Sequence, residues 1–201
     1  MLSQYRTESG SSKDFDRDAL YDKLTQLPNR HLLYDRLGQE MASSKRTGRY
    51  IALMSIGLAD FQPLNDSHSQ EIGDLLLFEV ANRIKDSVRE VDTVARTSGD
   101  EFVVMLNELT REKTQSVTQA HIIAEKIHTA LTNPYPVIIK HEKTEDTVAE
   151  YSCDISMGVV VFTKDKKSSD DALEWAERSM HKAKESGGSQ ICFNDTYEYL
   201  S

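Results

Sequence analysis

The segment Arg96-Thr97-Ser98-Gly99-Asp100-Glu101-Phe102 constrains the fold more than any other. It sets a Ser-Gly turn between two strand-like runs, Thr93 to Thr97 and Phe102 to Leu106. The run Phe102-Val103-Val104-Met105-Leu106 is apolar throughout, as a strand buried on both faces must be. Two such runs around Ser-Gly predict a tight hairpin. Asp100 and Glu101 then stand at the hairpin tip on a rigid base. Adjacent carboxylates there can hold a divalent cation against a phosphate. Taken alone, the same residues also read as a solvated acidic turn.

Helices and strands alternate on either side of the hairpin. Residues 1 to about 13 are polar and contain the run Ser9-Gly10-Ser11-Ser12, which reads as linker. Asp14 to Leu24 predicts a short lead-in helix. Pro28-Asn29 starts a helix that runs to about Lys45, with Leu32, Leu33 and Leu37 on one face. Tyr50 to Leu58 is a central strand. Ile72 to Val88 carries Leu77, Ala81, Ile84 and Val88 at helical spacing. A second long helix, about Arg111 to Thr132, buries Ala120, Ala124, Ile127 and Leu131 and ends at Asn133-Pro134. Tyr135 to His141 and Val148 to Thr163 read as a strand pair joined by a charged loop. Ser168 or Ser169 caps the last helix, whose stripe is Leu173, Ala176, Met180 and Ala183. Trp175 lies beside that stripe as partly buried core. Gly187-Gly188 stops the helix, and Ile191 to Phe193 is a short last strand. The pattern predicts an α/β fold with one central mixed β-sheet flanked by helices.

A chain of 201 residues suits one domain with a full core. The net charge of −9 argues against a nucleic-acid partner, because a phosphate backbone wants a basic face. It leaves room for one small nucleotide in a local basic pocket. No apolar run approaches the ~18 residues that span a bilayer, so no membrane contact is expected of this segment. Cys153 and Cys192 have neither metal-ligand spacing nor a disulfide framework, which fits a reducing cytoplasm. The histidines, including His121 and His128 on one helix, show no ligand geometry.

The hairpin segment resembles the signature loop of the GGDEF family, the diguanylate cyclases, with Ser98 where the family usually has its first Gly. Asp22-Lys23-Leu24-Thr25-Gln26-Leu27-Pro28-Asn29-Arg30 resembles its D-x-L-T-x-L-P-N-R segment. Phe61 to Asp66 and Gly73-Asp74 resemble F-K-x-x-N-D and G-D. Arg89-Glu90-Val91-Asp92 resembles R-x-x-D. Ser156-Met157-Gly158-Val159 resembles S-x-G-V, and Ala176 to Gly187 resembles A-D-x-A-x-Y-x-A-K-x-x-G. Together they run from about residue 20 to 195, in family order and spacing. The stretch from Leu27 to Leu37 is similar to GGDEF domains fused to an EAL phosphodiesterase domain.

The resemblance implies a fold like nucleotidyl cyclases and polymerase palms, with residues 1–20 as linker or lead-in and 21–197 as the GGDEF domain. It implies a reaction that joins two GTP into cyclic di-GMP between two domains, with Mg²⁺ held by carboxylates. Asp100 and Glu101 would be the catalytic, metal-holding pair. Asn65 and Asp74 would read guanine, and Lys184 would face phosphate. Arg89 and Asp92 match the family's product-inhibition site, where the Arg holds phosphate and guanine. Simpler readings stand beside these: an Asx turn for Asn65-Asp66, an N-terminal helix charge for Asp74, a solvated Lys184, and an exposed i, i+3 salt bridge for Arg89 and Asp92.

The chain departs from the family where metal and phosphate are held. Gly57 replaces the metal Asp, Ala59 the second Asp of D-x-D, Gln62 the lysine of F-K, and Gly188 a phosphate-contacting basic residue. Asp60 is one residue out of register. Losing a shared metal ligand costs orders of magnitude in rate, because the metal stabilises charge that develops in the transition state. The sequence therefore reads as a degenerate, catalytically impaired GGDEF domain that acts as a guanine-nucleotide-binding regulatory module, with GTP or cyclic di-GMP as ligand. The expected protein partner is a second copy or a neighbouring EAL or sensor domain. An active cyclase, helped by Asp60, and an interaction domain that binds no nucleotide are the alternatives.

Overall fold

The computed structural model describes residues 19–59, 69–139, 147–163 and 168–194. Helix α1 (Arg30–Thr47) leads into strand β1 (Ile51–Ala59), followed by α2 (Ser69–Ser87) and the hairpin of β2 (Thr93–Ser98) and β3 (Glu101–Leu106). Next come α3 (Lys113–Thr132), β4 (Tyr135–Ile139), β5 (Thr147–Tyr151), β6 (Asp154–Phe162), α4 (Ser169–Glu185) and β7 (Ile191–Phe193). The main sheet has the order β2-β3-β1-β6-β7. All its pairs are antiparallel except β6 with β7, so the sheet is mixed.

Strand alternation sends the residues of β1 to two cores. Ala52, Met54, Ile56 and Leu58 join Phe102, Val104 and Leu106 beneath α2 and α3. Ile51 and Leu53 join Val103 and Met105 beneath α1 and α4. Burial on both faces explains why these strands read as continuous apolar runs. The predicted stripes of α3 and α4 lie in the buried set, as do Leu33 and Leu37 of α1, while Leu32 is only partly buried and Met41 takes its place in the stripe. Trp175 packs half-buried at the edge of the α1/α4 core.

The caps follow local chemistry. The Asn29 side chain accepts from His31 and Leu32 amides, and Gly48 closes α1 in the left-handed region at φ +67°. Ser168 and Asp171 form a reciprocal capping box on α4. The ends of α2 and α3 converge and cap one another. Arg83 donates to the carbonyls of Ala130, Asn133 and Pro134, and its guanidinium lies 3.8 Å from the ring centre of Tyr135. Lys126 Nζ returns to the carbonyls of Asp86 and Ser87. Each cation meets the negative end of the other helix.

Two expectations change. Among the described residues, helix in the lead-in stops at Leu20, and Tyr21 instead bridges to Pro28 around a turn in which Asp22 accepts from the Thr25 amide. The remainder of the expected lead-in helix lies outside the described residues. The run from Val148 to Thr163 is two strands, broken at Ser152-Cys153. Only β5 pairs with β4, in a separate hairpin, and β6 belongs to the main sheet. Pro136 lies in that separate hairpin, consistent with proline's confinement to edge strands. No helix among the described residues is long and apolar enough to cross a membrane.

Candidate functional site

The hairpin turn sits one residue later than Ser-Gly suggests. Ser98 still pairs with Glu101, and the two loop residues are Gly99 and Asp100. Gly99 has φ +22°, a backbone region costly for side-chain-bearing residues. The Asp100 carbonyl accepts from the Leu58 amide at 3.3 Å, so the turn is tied to the end of β1. The Ser98 hydroxyl donates to Glu101 Oε2 at 2.7 Å and orients that carboxylate. Asp100 and Glu101 are both half-buried.

Glu101 lies opposite Gly57 in the β1–β3 ladder, and Gly57 lies opposite Ser156 in the β1–β6 ladder. Directly paired residues share a sheet face, here the one covered by α4. Met180 of α4 fills the space over Gly57, with its Sδ 2.9 Å from where a Cβ would stand. The same sulfur receives the Ser55 hydroxyl at 3.5 Å. The Ser156 hydroxyl is buried with no hydrogen-bond partner among the described residues. Mg²⁺ asks for near-octahedral oxygen ligation. No group of three or more His, Cys, Asp or Glu among the described residues could hold a metal. Asp100 and Glu101 supply hard oxygens, but the sheet position facing Glu101 has no side chain, so no chemical step is derived through a metal here.

The other predicted residues lie on both sides of the sheet. Lys184 is exposed in the last turn of α4, one helical turn beyond Met180. Lysine at a helix C-terminus is also favoured by the dipole. A Cβ at Gly188 would have Asp154 Oδ2 3.9 Å away, at a left-handed φ of +70°. Asp74 is exposed in the second turn of α2, past the first-turn amides, which weakens the helix-charge explanation. Asn65, Asp60 and Gln62 lie outside the described residues. Sequence reading assigned no role to Arg30 or Arg96. Arg30 lies 4.0 Å from Glu177 and 5.7 Å from the Tyr34 ring centre. The Tyr34 hydrogen bond raises its guanidinium pKa against the opposing effect of burial, with smaller contributions from Tyr34, Glu177 and Glu101 charge. The alternation pattern gives no signal for the contacts of Arg30 with Glu177 and of Arg96 with Asp22, because these partners are distant in sequence.

Arg89 and Asp92 do meet, but not as an exposed pair. The Asp92 side chain is 1% exposed against 56% for Arg89. Asp92 Oδ2 accepts from the Arg89 amide and Nε, and Oδ1 accepts from Arg89 Nη2 and the Asn107 amide. Four bonds fill the acceptor capacity of a carboxylate. Arg89 Nη2 also donates to the Asn107 carbonyl at 2.9 Å. The pair thus fastens the loop after α2 to the end of β3. The hydrogen bonds that Arg89 donates to Asp92 raise the Arg89 pKa, offset in part by burial.

Among the described residues the histidines form no cluster. His121 meets the Phe193 ring at a tilt, 5.2 Å between centres, and faces Glu125 at 3.8 Å.

The protein is thus an α/β domain: a mixed sheet flanked by helices, with an acidic hairpin turn beside the end of its central strand. The chain belongs to the GGDEF family: the model described as "Diguanylate cyclase, GGDEF domain" matches residues 19–190. It is 37% identical over 175 residues to the bifunctional diguanylate cyclase/cyclic di-GMP phosphodiesterase MucR of Pseudomonas aeruginosa, covering 87% of this chain and 23% of MucR. It is 31% identical to the cyclic di-GMP phosphodiesterase NbdA of the same organism, covering 87% of this chain and 20% of NbdA. The chain therefore spans under a quarter of either relative. The solved GGDEF domain of YfiN (TpbB) from Pseudomonas aeruginosa superposes with a TM-score of 0.73 at 27% identity, covering 86% of this chain and 93% of that one. DgcB of Caulobacter crescentus, solved with cyclic di-GMP, shares the fold at a TM-score of 0.74 and 21% identity, covering 90% of this chain and 89% of that one.

Proposed function

We propose that this chain is a degenerate GGDEF domain of cyclic di-GMP signalling in the cytoplasm, catalytically impaired and serving as a guanine-nucleotide-binding regulatory module. The observation that carries the reading is Gly57. It lies directly opposite Glu101, on the α4 side of the sheet, where a metal-binding carboxylate is needed, and Met180 covers it. Mg²⁺, if bound, sits at Asp100 and Glu101 alone. Asn65 and Asp74 select guanine, Lys184 faces phosphate, and Arg89 with Asp92 contacts cyclic di-GMP once the Arg89 guanidinium is drawn off Asp92. A second copy, or an EAL or sensor domain of the same protein, is the partner.

A second reading, an active cyclase that condenses two GTP into cyclic di-GMP, draws on the retained Asp100 and Glu101 and on the likeness to MucR. The third, an interaction domain without nucleotide, gains support from the saturated acceptors of Asp92. One set of measurements separates them. On the first reading, the purified protein with GTP and Mg²⁺ should yield no detectable cyclic di-GMP, calorimetry should show GTP binding better than ATP, and Asp74→Ala should weaken only GTP. Turnover comparable to that of active family members favours the second reading. Absence of binding to GTP and cyclic di-GMP at about 100 μM, where a site worth ~−5.5 kcal/mol is half filled, favours the third.

A further inference from the structure

Arg96 is 12% exposed and bonds through all three guanidinium nitrogens. Nε and Nη2 both donate to the carbonyl of Gly99, at 2.9 and 2.6 Å. Nη1 donates to Asp22 Oδ1 at 3.0 Å, across 74 positions of sequence. That Asp22 oxygen also accepts from the Thr25 amide at 2.8 Å and the Thr25 hydroxyl at 2.7 Å. The backbone amide of Arg96 donates to the Pro28 carbonyl at 3.0 Å. The entering chain is fastened to the same place: Asn29 donates from its side chain to the Ala19 carbonyl at 2.8 Å and from its backbone to the Leu20 carbonyl at 2.9 Å.

These contacts form one connected path from Ala19 and Leu20, through Asp22 and Arg96, to the first residue of the acidic turn. A planar guanidinium with three nitrogens committed at fixed angles transmits position, whereas a lone ammonium would not. Arg96 is largely screened from water, and Asp22 is a quarter exposed with its Oδ1 held by three donors. The next carbonyl, that of Asp100, is fixed by Leu58. The backbone of the turn is therefore gripped from both sides, by the lead-in through Arg96 and by β1.

We infer that Arg96 is a positioning residue that couples the chain entering at Ala19–Asp22 to the carboxylate-bearing turn Gly99–Glu101. The inference rests on reading Asp100 and Glu101 as the functional carboxylates. Its physical content, that the state of Asp22 is felt at the turn, stands apart from any ligand.

The test is amide hydrogen exchange on the full chain with two conservative variants, Asp22→Asn and Arg96→Lys. Loss of a charge-assisted contact that holds one turn speeds local opening about tenfold. Both variants should accelerate exchange at Gly99–Glu101 by that factor while Val159–Val161 in β6 keeps its parental rate. An unchanged turn in Asp22→Asn overturns the coupling. So does equal acceleration at the turn and in β6, which marks a general loss of stability. Paramagnetic broadening by MnCl₂ in the parent reads the carboxylates separately: no broadening at Gly99–Glu101 removes their metal role while the exchange result still decides the clamp.

Discussion

Met180 Sδ stands 2.9 Å from the point a Cβ on Gly57 would occupy. A carboxylate restored at position 57 therefore has to displace the thioether. Met is the side chain best able to move, so Gly57→Asp should fold, at a cost of about 1–3 kcal/mol. Pairing it with Met180→Ala should cost less than the two single changes added together, since one relieves the other. Urea denaturation of the four proteins checks this, and strict additivity contradicts it. Gly57→Asp alone should not restore full cyclase activity, because Gln62 and Gly188 still lack charge.

Gly158 offers no such escape. A Cβ there would collide with the Ala176 carbonyl and the Met180 amide, both main chain of α4. Gly158→Ala must push the helix off the sheet. It should destabilise by more than ~3 kcal/mol, well beyond Gly57→Ala, which meets only the end of Met180. Thermal melts of the two variants give the order, and similar melting temperatures would refute it.

Asp92 and Arg89 should differ sharply in denaturation. Asp92→Ala strips the part-buried Asn107 amide and most of the Arg89 guanidinium of their acceptor and should cost about 2–4 kcal/mol. Arg89→Ala takes the counter-charge from the buried Asp92 carboxylate but leaves it the amides of residues 89 and 107, and should cost less than Asp92→Ala, about 1–2 kcal/mol. If Arg89 also contacts cyclic di-GMP, its removal abolishes calorimetric binding while the fold survives. Equal stability losses would reject the buried-acceptor account.

Arg83→Ala removes three donations to the end of α3 and the stack on Tyr135 together. A loss of about 2–4 kcal/mol is expected. Lys126→Ala, which leaves the α2 carbonyls open to water, should lose about 1 kcal/mol. A smaller effect from Arg83 than from Lys126 would contradict the assignment.

Burial pushes the Asp22 carboxyl up, but the Thr25 hydroxyl and amide and the Arg96 guanidinium outweigh it and hold its pKa below the ordinary value. A depressed folded-state pKa stabilises above the unfolded value, near pH 4, and that stability fades as pH falls through the folded value. Asp22→Asn should accordingly flatten the acid limb of a stability–pH curve below about pH 4. An unchanged acid limb would rule out this contribution.

By itself the sequence determined the elements whose evidence is local. Apolar runs marked β1 and β3, helical stripes marked α3 and α4, and Asn29, Gly48 and Ser168 sit at helix ends because caps are chosen by neighbouring backbone groups. The order and spacing of its motifs were enough to place the chain in its family. Tertiary structure decided what depends on distant partners. Ladder register put Ser98 opposite Glu101 and moved the loop to Gly99-Asp100. Sheet membership split Val148 to Thr163 into β5 and β6. Asp92 became a buried acceptor because Asn107, fifteen positions on, closes over it. Arg83 and Arg96 look like ordinary surface cations in sequence. Their carbonyl and carboxylate partners lie 47 and 74 positions away, and only packing brings such groups within hydrogen-bond reach.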